Sequence, residues 1–227
     1  KRIGHQCNRP AIGLNAAGTA AQANLIGINI NLGSGNRIGG TATGEGNIIS
    51  GNARDGIALQ GRGTDLNIVR GNYIGLDASG QTPIPNALRG VDITFGASNN
   101  TIGGDLSGQR NVISGNSGEG IRIQGPVTSG NTIKGNLIGP DIDGQSLKSN
   151  AVGILIRQGA FANNIGGPDP GDGNNITSNA SLGIAIDGVA SLGNRIGHNS
   201  IHENRLEGIR LLNGGNASLA SPVITGL

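Results

Sequence analysis

The feature that most constrains the fold of this 227-residue chain is a repeat of 64 residues. Asn36-Arg-Ile-Gly-Gly recurs as Asn100-Thr-Ile-Gly-Gly, and a third copy continues near Asn164-Ile-Gly-Gly after the loss of one residue. Long periods of this kind are typical of solenoids, in which each repeat packs only on its neighbours. We therefore expect a single domain over 1–227, made of a partial repeat (1–35) and three full repeats (36–99, 100–163 and 164–227).

A shorter period lies inside each repeat and predicts β-strands. A Gly-Ile/Val-x-Ile/Leu segment recurs every 25 to 34 residues, and its apolar residues alternate with other residues, as in Val91, Ile93 and Phe95. Alternation of this kind places one face of a strand inward. The interval suits one coil of three strands, and we assign the other two strands to the motifs Asn-x-Ile-x-Gly-Asn and Asn-x-Ile-Gly-Gly. The segments begin at Gly27, Gly56, Gly90, Gly120, Gly153, Gly183 and Gly208.

Composition agrees with an all-β solenoid. The 44 Gly and 28 Asn residues disfavour a helical bundle, because Gly destabilises helix interiors and Asn prefers turns. A β-propeller would need four-stranded blades and carries signatures that are missing from this sequence. We therefore predict a right-handed, single-stranded parallel β-helix of about seven coils. Asn side chains at its corners are expected to form ladders along the axis: Asn36, Asn47, Asn67, Asn100, Asn111, Asn131, Asn175 and Asn194.

Charge and hydropathy exclude several classes of partner. The net charge of +2 is spread along the chain without a basic run, which argues against binding of nucleic acid. No apolar run approaches the roughly 18 residues of a membrane-spanning helix. Cys7 is the only cysteine, so an internal disulfide is impossible. Because the chain starts at Lys1, we expect it to be a processed or excised piece of something longer.

The outward positions of the repeated strand are the candidate binding surface. If successive coils stack, Asp92 lies beside Arg122 and Arg157 beside Asp187, each pair about 4.8 Å apart. One interpretation is a polysaccharide groove, and the other is a solvated face of mixed charge, which the shortage of aromatic residues favours. The candidate binding residues are Asp92, Arg122, Gln124, Arg157 and Asp187.

Two acidic segments are candidates for calcium ligands. Asp141-Ile-Asp143-Gly and Asp169-Pro-Gly-Asp172 could supply oxygen atoms, although neither has the longer acidic series of a calcium-binding loop. The alternative is that these aspartates form Asx turns. His198 and His202 would face one way on a helix, but in a strand-and-corner context we expect them to be surface residues. Apart from calcium, we expect no cofactor.

The repeated string also carries a resemblance to a known family. Ser98-Asn-Asn-Thr-Ile-Gly-Gly, followed by Arg110-Asn-Val-Ile-Ser-Gly-Asn, resembles the Asn/Gly-rich repeats of large bacterial secreted and surface proteins. These repeats belong to the pectate-lyase-like superfamily of right-handed β-helices. The resemblance implies the fold and an extracellular or cell-surface location in bacteria. The lyase, polygalacturonase and epimerase signatures of that superfamily are missing, so we assign no catalytic residue.

We therefore expect a non-catalytic, extracellular structural or adhesive module, such as a segment of a rod, filament or surface protein. The ends of a β-helix expose unpaired strands, so we expect self-association through them or contact with neighbouring domains of a longer chain. Surface glycans are a further expected partner. One alternative is a polysaccharide-binding or polysaccharide-degrading protein, acting as a lyase, hydrolase or epimerase. Another is a consensus-designed solenoid.

Overall fold

The structure is a computed structural model that describes residues 9–42, 44–145 and 149–216. Its strands form three parallel sheets, with two short 3-10 turns at Ser107–Gln109 and Pro170–Asp172. Sheet I contains β1 (Ala11–Ile12), β4 (Ile48–Ile49), β7 (Tyr73–Ile74), β10 (Val112–Ile113), β13 (Leu137–Ile138), β16 (Asn175–Thr177) and β19 (Ser200–His202). Sheet II contains β2 (Ile28–Asn31), β5 (Ile57–Gln60), β8 (Val91–Thr94), β11 (Glu119–Gln124), β14 (Val152–Arg157), β17 (Ile184–Asp187) and β20 (Ile209–Leu212). Sheet III contains β3 (Arg37–Gly39), β6 (Ile68–Arg70), β9 (Thr101–Gly103), β12 (Thr132–Lys134), β15 (Asn164–Gly166) and β18 (Arg195–Gly197).

The chain visits sheets I, II and III in turn, and each turn of three strands is one coil. Every strand pairs in parallel with the equivalent strand of the next coil. The fold is therefore a parallel β-helix of seven coils, as the repeat predicted. None of the helical segments in the described ranges has the length and apolar character needed to cross a membrane.

The interior consists of files of aliphatic side chains that run along the axis. In sheet II, Ile57, Ile121 and Ile184 lie in one file, with a paired residue of the intervening coil between each two. All three side chains are fully buried. Burial of each such side chain stabilises the fold by about 1.5–3 kcal/mol, so stacking of identical coils provides a core that no single coil could form.

The two motifs assigned to the other strands of a coil do form strands, but the longer motif occurs in two sheets. Asn-x-Ile-Gly-Gly forms strands of sheet III, such as β3 after Asn36. Asn-x-Ile-x-Gly-Asn forms strands of sheet I, such as β4 after Asn47, and also of sheet III, such as β12 after Asn131. Strands of sheet I have only two or three residues and display no alternating pattern, so the sequence does not show which sheet each copy of the longer motif joins.

Asparagine ladders run along all three corners of the β-helix. Each amide Nδ2 donates to the Oδ1 of the next coil, at 2.8 to 3.3 Å. The ladder between sheets II and III contains Asn36, Asn67, Asn100, Asn131, Asn163 and Asn194. The ladder between sheets III and I contains Asn47, Asn72, Asn111, Asn136, Asn174 and Asn199. The ladder between sheets I and II contains Asn24, Asn52, Asn86, Asn116, Asn150, Asn179 and Asn204.

The structure corrects one ladder residue. Asn174, not Asn175, accepts the amide of Asn136, at 2.9 Å. Asn175 lies on β16 and pairs in register with Leu137. The two asparagines are adjacent in the sequence. Only the strand register shows which one lies at the corner and which one lies in the strand.

Candidate functional site

The outward files of sheet II are built as the sequence predicted. Asp92 lies beside Arg122 in the register of β8 and β11. Arg122 Nε donates to Asp92 Oδ1 at 2.9 Å, and its second guanidinium nitrogen donates to Oδ2 at 3.0 Å. The two side chains are only 11% and 4% exposed. The fork geometry of this pair fixes both side chains flat on the sheet.

A second row of charged side chains lies on the same face of sheet II. Asp55, Arg89 and Glu119 each precede the glycine that begins a sheet II segment. The Arg89 guanidinium lies 3.5 Å from Asp55 Oδ1 and 3.2 Å from Glu119 Oε2. Asp55 is 1% exposed at its side chain. This row was not predicted from the sequence, because its residues lie one position outside the alternating strand pattern.

This arrangement bears on the polysaccharide-groove interpretation. Hydrolysis by two carboxylates requires acids about 5–9.5 Å apart that a substrate can reach. Asp55 and Asp92 are the neighbouring carboxylates of this face, and both are almost completely buried by their own ion pairs. A glycan chain laid on sheet II would therefore not reach the carboxylate oxygens of Asp55 and Asp92.

The other three candidate residues of this surface are held differently. Arg157 and Asp187 are neighbours in register, as predicted. In the described part of the chain, however, no ion pair within 4.0 Å joins them, and Asp187 Oδ1 accepts from Asn213 Nδ2 at 2.7 Å. Gln124 Oε1 and Arg157 Nε are buried without a hydrogen-bond partner among the described residues. Both predicted pairs of neighbours are thus present, but among the described residues only Asp92–Arg122 forms an ion pair.

Stability should depend on pH through Asp55. Burial raises the pKa of Asp55, and the nearby Asp92 carboxylate raises it further. A group whose pKa is raised on folding contributes stability that is fully present below its pKa in the unfolded state. This stability is lost as the pH rises through its pKa in the folded state. Asp55→Asn should therefore become more stable, relative to the parent protein, as pH rises from about 3.5 to 8. Urea unfolding at the two pH values measures this difference.

Asp77 provides a control with the opposite sign. Partial burial raises its pKa, but hydrogen bonds from Ser79, Thr82 and Gln81 outweigh burial and lower the pKa overall. Asp77→Asn should therefore lose more stability at pH 8 than at about pH 3.5. If the stability of both variants, relative to the parent protein, changed in the same direction between the two pH values, the buried Asp55 carboxylate would not be the cause of the pH dependence.

The four candidate calcium ligands lie at two different corners. Asp141 and Asp143 are in the loop from sheet I to sheet II, whereas Asp169 and Asp172 are in a loop from sheet III to sheet I. Asp141 Oδ1 accepts the backbone N–H groups of Asp143 and Gln145, at 3.0 and 2.9 Å, which is an Asx turn. Among the described residues there is no group of three or more His, Cys, Asp or Glu side chains placed to hold a metal ion. The structure therefore does not gather the four into one site.

An exposed apolar edge follows the corner between sheets II and III. The sequence placed Phe95 inward, which is wrong: β8 ends at Thr94, and Phe95 takes a left-handed φ of 57° that turns its side chain outward, 69% exposed. The same corner in other coils presents an exposed aliphatic or aromatic residue. This edge consists of Leu32, Leu66, Phe95, Val127, Phe161, Val189 and Leu192.

A cleft of about 520 Å³ lies on the outer side of sheet III. Its floor crosses β12, β15 and β18, where Thr132, Asn164 and Arg195 lie side by side in register. One wall is the loop 167–173, which contributes Pro168 and Asp172. This volume lies within the range of about 300–1,000 Å³ that is typical of small-molecule sites.

Of the charged side chains that the structure describes in this cleft, some are paired with each other, and one is not. Lys134 Nζ donates to Asp172 Oδ1 at 2.8 Å. This hydrogen bond is the main cause that raises the pKa of Lys134 and lowers the pKa of Asp172, so both groups are charged at neutral pH. His198 Nδ1 lies 2.8 Å from the carbonyl oxygen of Gly167, which leaves Nε2 toward solvent. Arg195 is exposed and, within the described ranges, has no carboxylate within 4.0 Å.

The cleft could not be predicted from the sequence. The sequence predicts His198 to be a surface residue and Asp172 to be a candidate calcium ligand, and no motif connects either of them with Lys134 or Arg195. Except for Arg195 and His198, these residues are 23 or more positions apart in the sequence. The sequence carries one signal of the cleft. Every second strand of sheet III ends in Arg70, Lys134 and Gly197 in turn, so the basic residue is replaced by glycine in the last of them.

Comparison of the chain with protein-family models, with curated proteins and with solved structures finds no match. The fold and the geometry described above therefore carry the functional argument.

Proposed function

We propose that this chain is a non-catalytic structural module that forms part of an extracellular rod and associates through its ends. Seven coils at about 4.8 Å each make a rod about 34 Å long. Ladders on all three corners and aliphatic files inside make every coil rigid in the same way. Regular spacing along an axis, rather than a reactive centre, is what this construction provides.

One observation carries the proposal: the core files reach the last coil without losing their apolar character. Ile209 and Leu211 continue the inward files of sheet II in β20, yet they are 42% and 40% exposed. β20 is also the last strand of its sheet, so one of its edges has no strand partner among the described residues. Apolar side chains next to an open strand edge favour stacking of another coil.

The test is the concentration dependence of the molecular mass of the full chain. We expect sedimentation velocity to show assemblies that grow with concentration and electron microscopy to show rods longer than one molecule. Leu211→Lys should abolish assembly, because it places a charge at the stacking end. Val189→Lys is the matched control, since Val189 is 73% exposed but lies on the side of the rod.

Two outcomes would contradict end-to-end association. The first is a parent protein that stays monomeric at every concentration. The second is equal loss of assembly in Leu211→Lys and Val189→Lys, which would place the contact on the apolar edge instead.

The resemblance to Asn/Gly-rich bacterial repeats supports an extracellular or cell-surface location and membership of the pectate-lyase-like superfamily, and both are part of this proposal. Labelling of intact source cells with a membrane-impermeant reagent tests the location. A second candidate function, glycan binding, is favoured by the cleft on sheet III rather than by the closed face of sheet II.

A further inference from the structure

We infer that the cleft on sheet III binds a small hydroxylated molecule that carries one carboxylate or sulfate group, such as a single acidic sugar unit. The cleft lies on the outer side of sheet III and reaches β18, the last described strand of that sheet, so binding is measured below the concentration at which the chain assembles.

The cleft exists because the repeat is interrupted at one position. The third residue of the sheet III strand is Arg70 in the second coil and Lys134 in the fourth, but Gly197 in the sixth. A long basic side chain is therefore missing where the pattern would place one. The result is a depression bounded by Lys134, Arg195 and His198.

The backbone does not require glycine at this position. Gly39, Gly103 and Gly166 end the alternate strands with left-handed φ values of 82°, 96° and 85°. Gly197 has no left-handed φ, and a Cβ there would meet only the carbonyl oxygen of Gly167, at 3.4 Å. The space above Gly197 is thus open because glycine has no side chain, and not because the backbone conformation requires glycine.

Arg195 is the cation available to a ligand. Lys134 is occupied by Asp172, whereas the Arg195 guanidinium is exposed. A guanidinium presents parallel N–H donors that match the two oxygens of a carboxylate or sulfate. Asp172, with Asp105 and Asp169 close enough to act on Lys134, makes the opposite end of the cleft unfavourable for an anion.

Neutral polar groups between the two ends suit hydroxyl groups. The side chains of Thr132 and Asn164 lie on the floor and make no hydrogen bond with other described residues. His198 Nε2 adds a third group at the rim, since Nδ1 is held by Gly167. An acidic sugar oriented with its anion at Arg195 would place its hydroxyl groups over this floor.

Titration of the ¹⁵N-labelled full chain with glucuronate, glucose 6-sulfate and glucose tests the inference. We expect glucuronate or the sulfate ester to shift the Arg195 Nε–H and His198 ring signals, with Kd on the order of millimolar. Glucose should bind at least about tenfold more weakly, because it lacks the charge-assisted hydrogen bonds. The two anionic arms distinguish a carboxylate ligand from a sulfate ligand.

Three variants locate the site. Arg195→Gln should weaken binding of the anionic sugar by about tenfold or more. Arg37→Gln is the matched control, because Arg37 begins an identical Arg-Ile-Gly strand at the other end of sheet III, away from the cleft. Gly197→Lys restores the basic residue of the repeat and should abolish binding by filling the cleft. Thermal unfolding of each variant checks that it is folded.

Several results would overturn the inference. Glucose binding as tightly as glucuronate would remove the role of the anion. Equal affinity in Arg195→Gln and Arg37→Gln would remove the role of the cleft. An absence of shifts for both anionic sugars at tenfold above the expected Kd would exclude the site. Because assembly is measured separately, each of these results leaves end-to-end association standing.

Discussion

Replacing Asn131 with alanine should lower the free energy of unfolding by about 3 kcal/mol or more, because one side chain satisfies groups in two neighbouring coils. Asn131 Oδ1 accepts the backbone N–H and Nδ2 of Asn100, at 3.1 and 3.0 Å. Its Nδ2 donates to Asn163 Oδ1 at 3.0 Å and to the carbonyl oxygen of Ala97 at 3.1 Å. Alanine would leave several of these buried groups without partners, each at a cost of about 1–3 kcal/mol.

The first rung of the same ladder is the matched control. Asn36 is exposed, and its side chain donates to Asn67 Oδ1 at 2.8 Å without accepting from a preceding rung. Asn36→Ala should therefore cost less than about 1 kcal/mol. Urea denaturation followed by circular dichroism measures both variants, and equal losses would show that the ladder does not stabilise the interior coils.

Removing an interior isoleucine should have an effect of similar size for a different reason. Ile121 lies in the middle of its file and is fully buried, so Ile121→Ala removes apolar burial and leaves a cavity between two coils. Substitutions of this kind cost about 2–5 kcal/mol. The coils above and below cannot close the gap without breaking the register of three sheets.

Ile209 occupies the same file in the last coil and is 42% exposed. Ile209→Ala, measured at a concentration below assembly, should cost less than half as much as Ile121→Ala, because much of its surface is already in water. If the two variants lost equal stability, the interior files would not be the main source of the core energy.

How much of the fold could be predicted depends on the length of each strand. Sheet II strands have four to six residues, so the alternation of Ile57 and Leu59 with outward residues is visible in the sequence. Strands of sheet I, such as Ile48–Ile49, are too short for any period to appear, and only the motif Asn-x-Ile-x-Gly-Asn marks them in the sequence. Because the same motif also forms strands of sheet III, such as Thr132–Lys134, the number of coils could be predicted but not the sheet that each copy of this motif joins.

The ladder between sheets I and II was not predicted, although Asn52 and Asn116 lie one 64-residue repeat apart. Spacing in the sequence does not show which asparagines are rungs. Only the stacking of coils brings Asn52 next to Asn86, and Asn86 next to Asn116. At the corner itself, the amide only needs a neighbour in the next coil.

The candidate sites show the same division. The Asp92–Arg122 ion pair could be predicted, because both residues occupy one outward position of an alternating strand. The cleft could not, because it depends on the missing side chain of Gly197 and on a loop contributed by the preceding coil.

By itself, the sequence determined that this chain coils: alternating isoleucines specify one inward face, and Gly and Asn specify the corners. Only the tertiary structure decided which polar groups meet, such as Lys134 with Asp172 and Arg89 with both Asp55 and Glu119. The physical reason is that stacking brings residues 30 or more positions apart to within hydrogen-bonding distance. That distance depends on strand register and loop length, which are set by the packing of whole coils rather than by any local pattern.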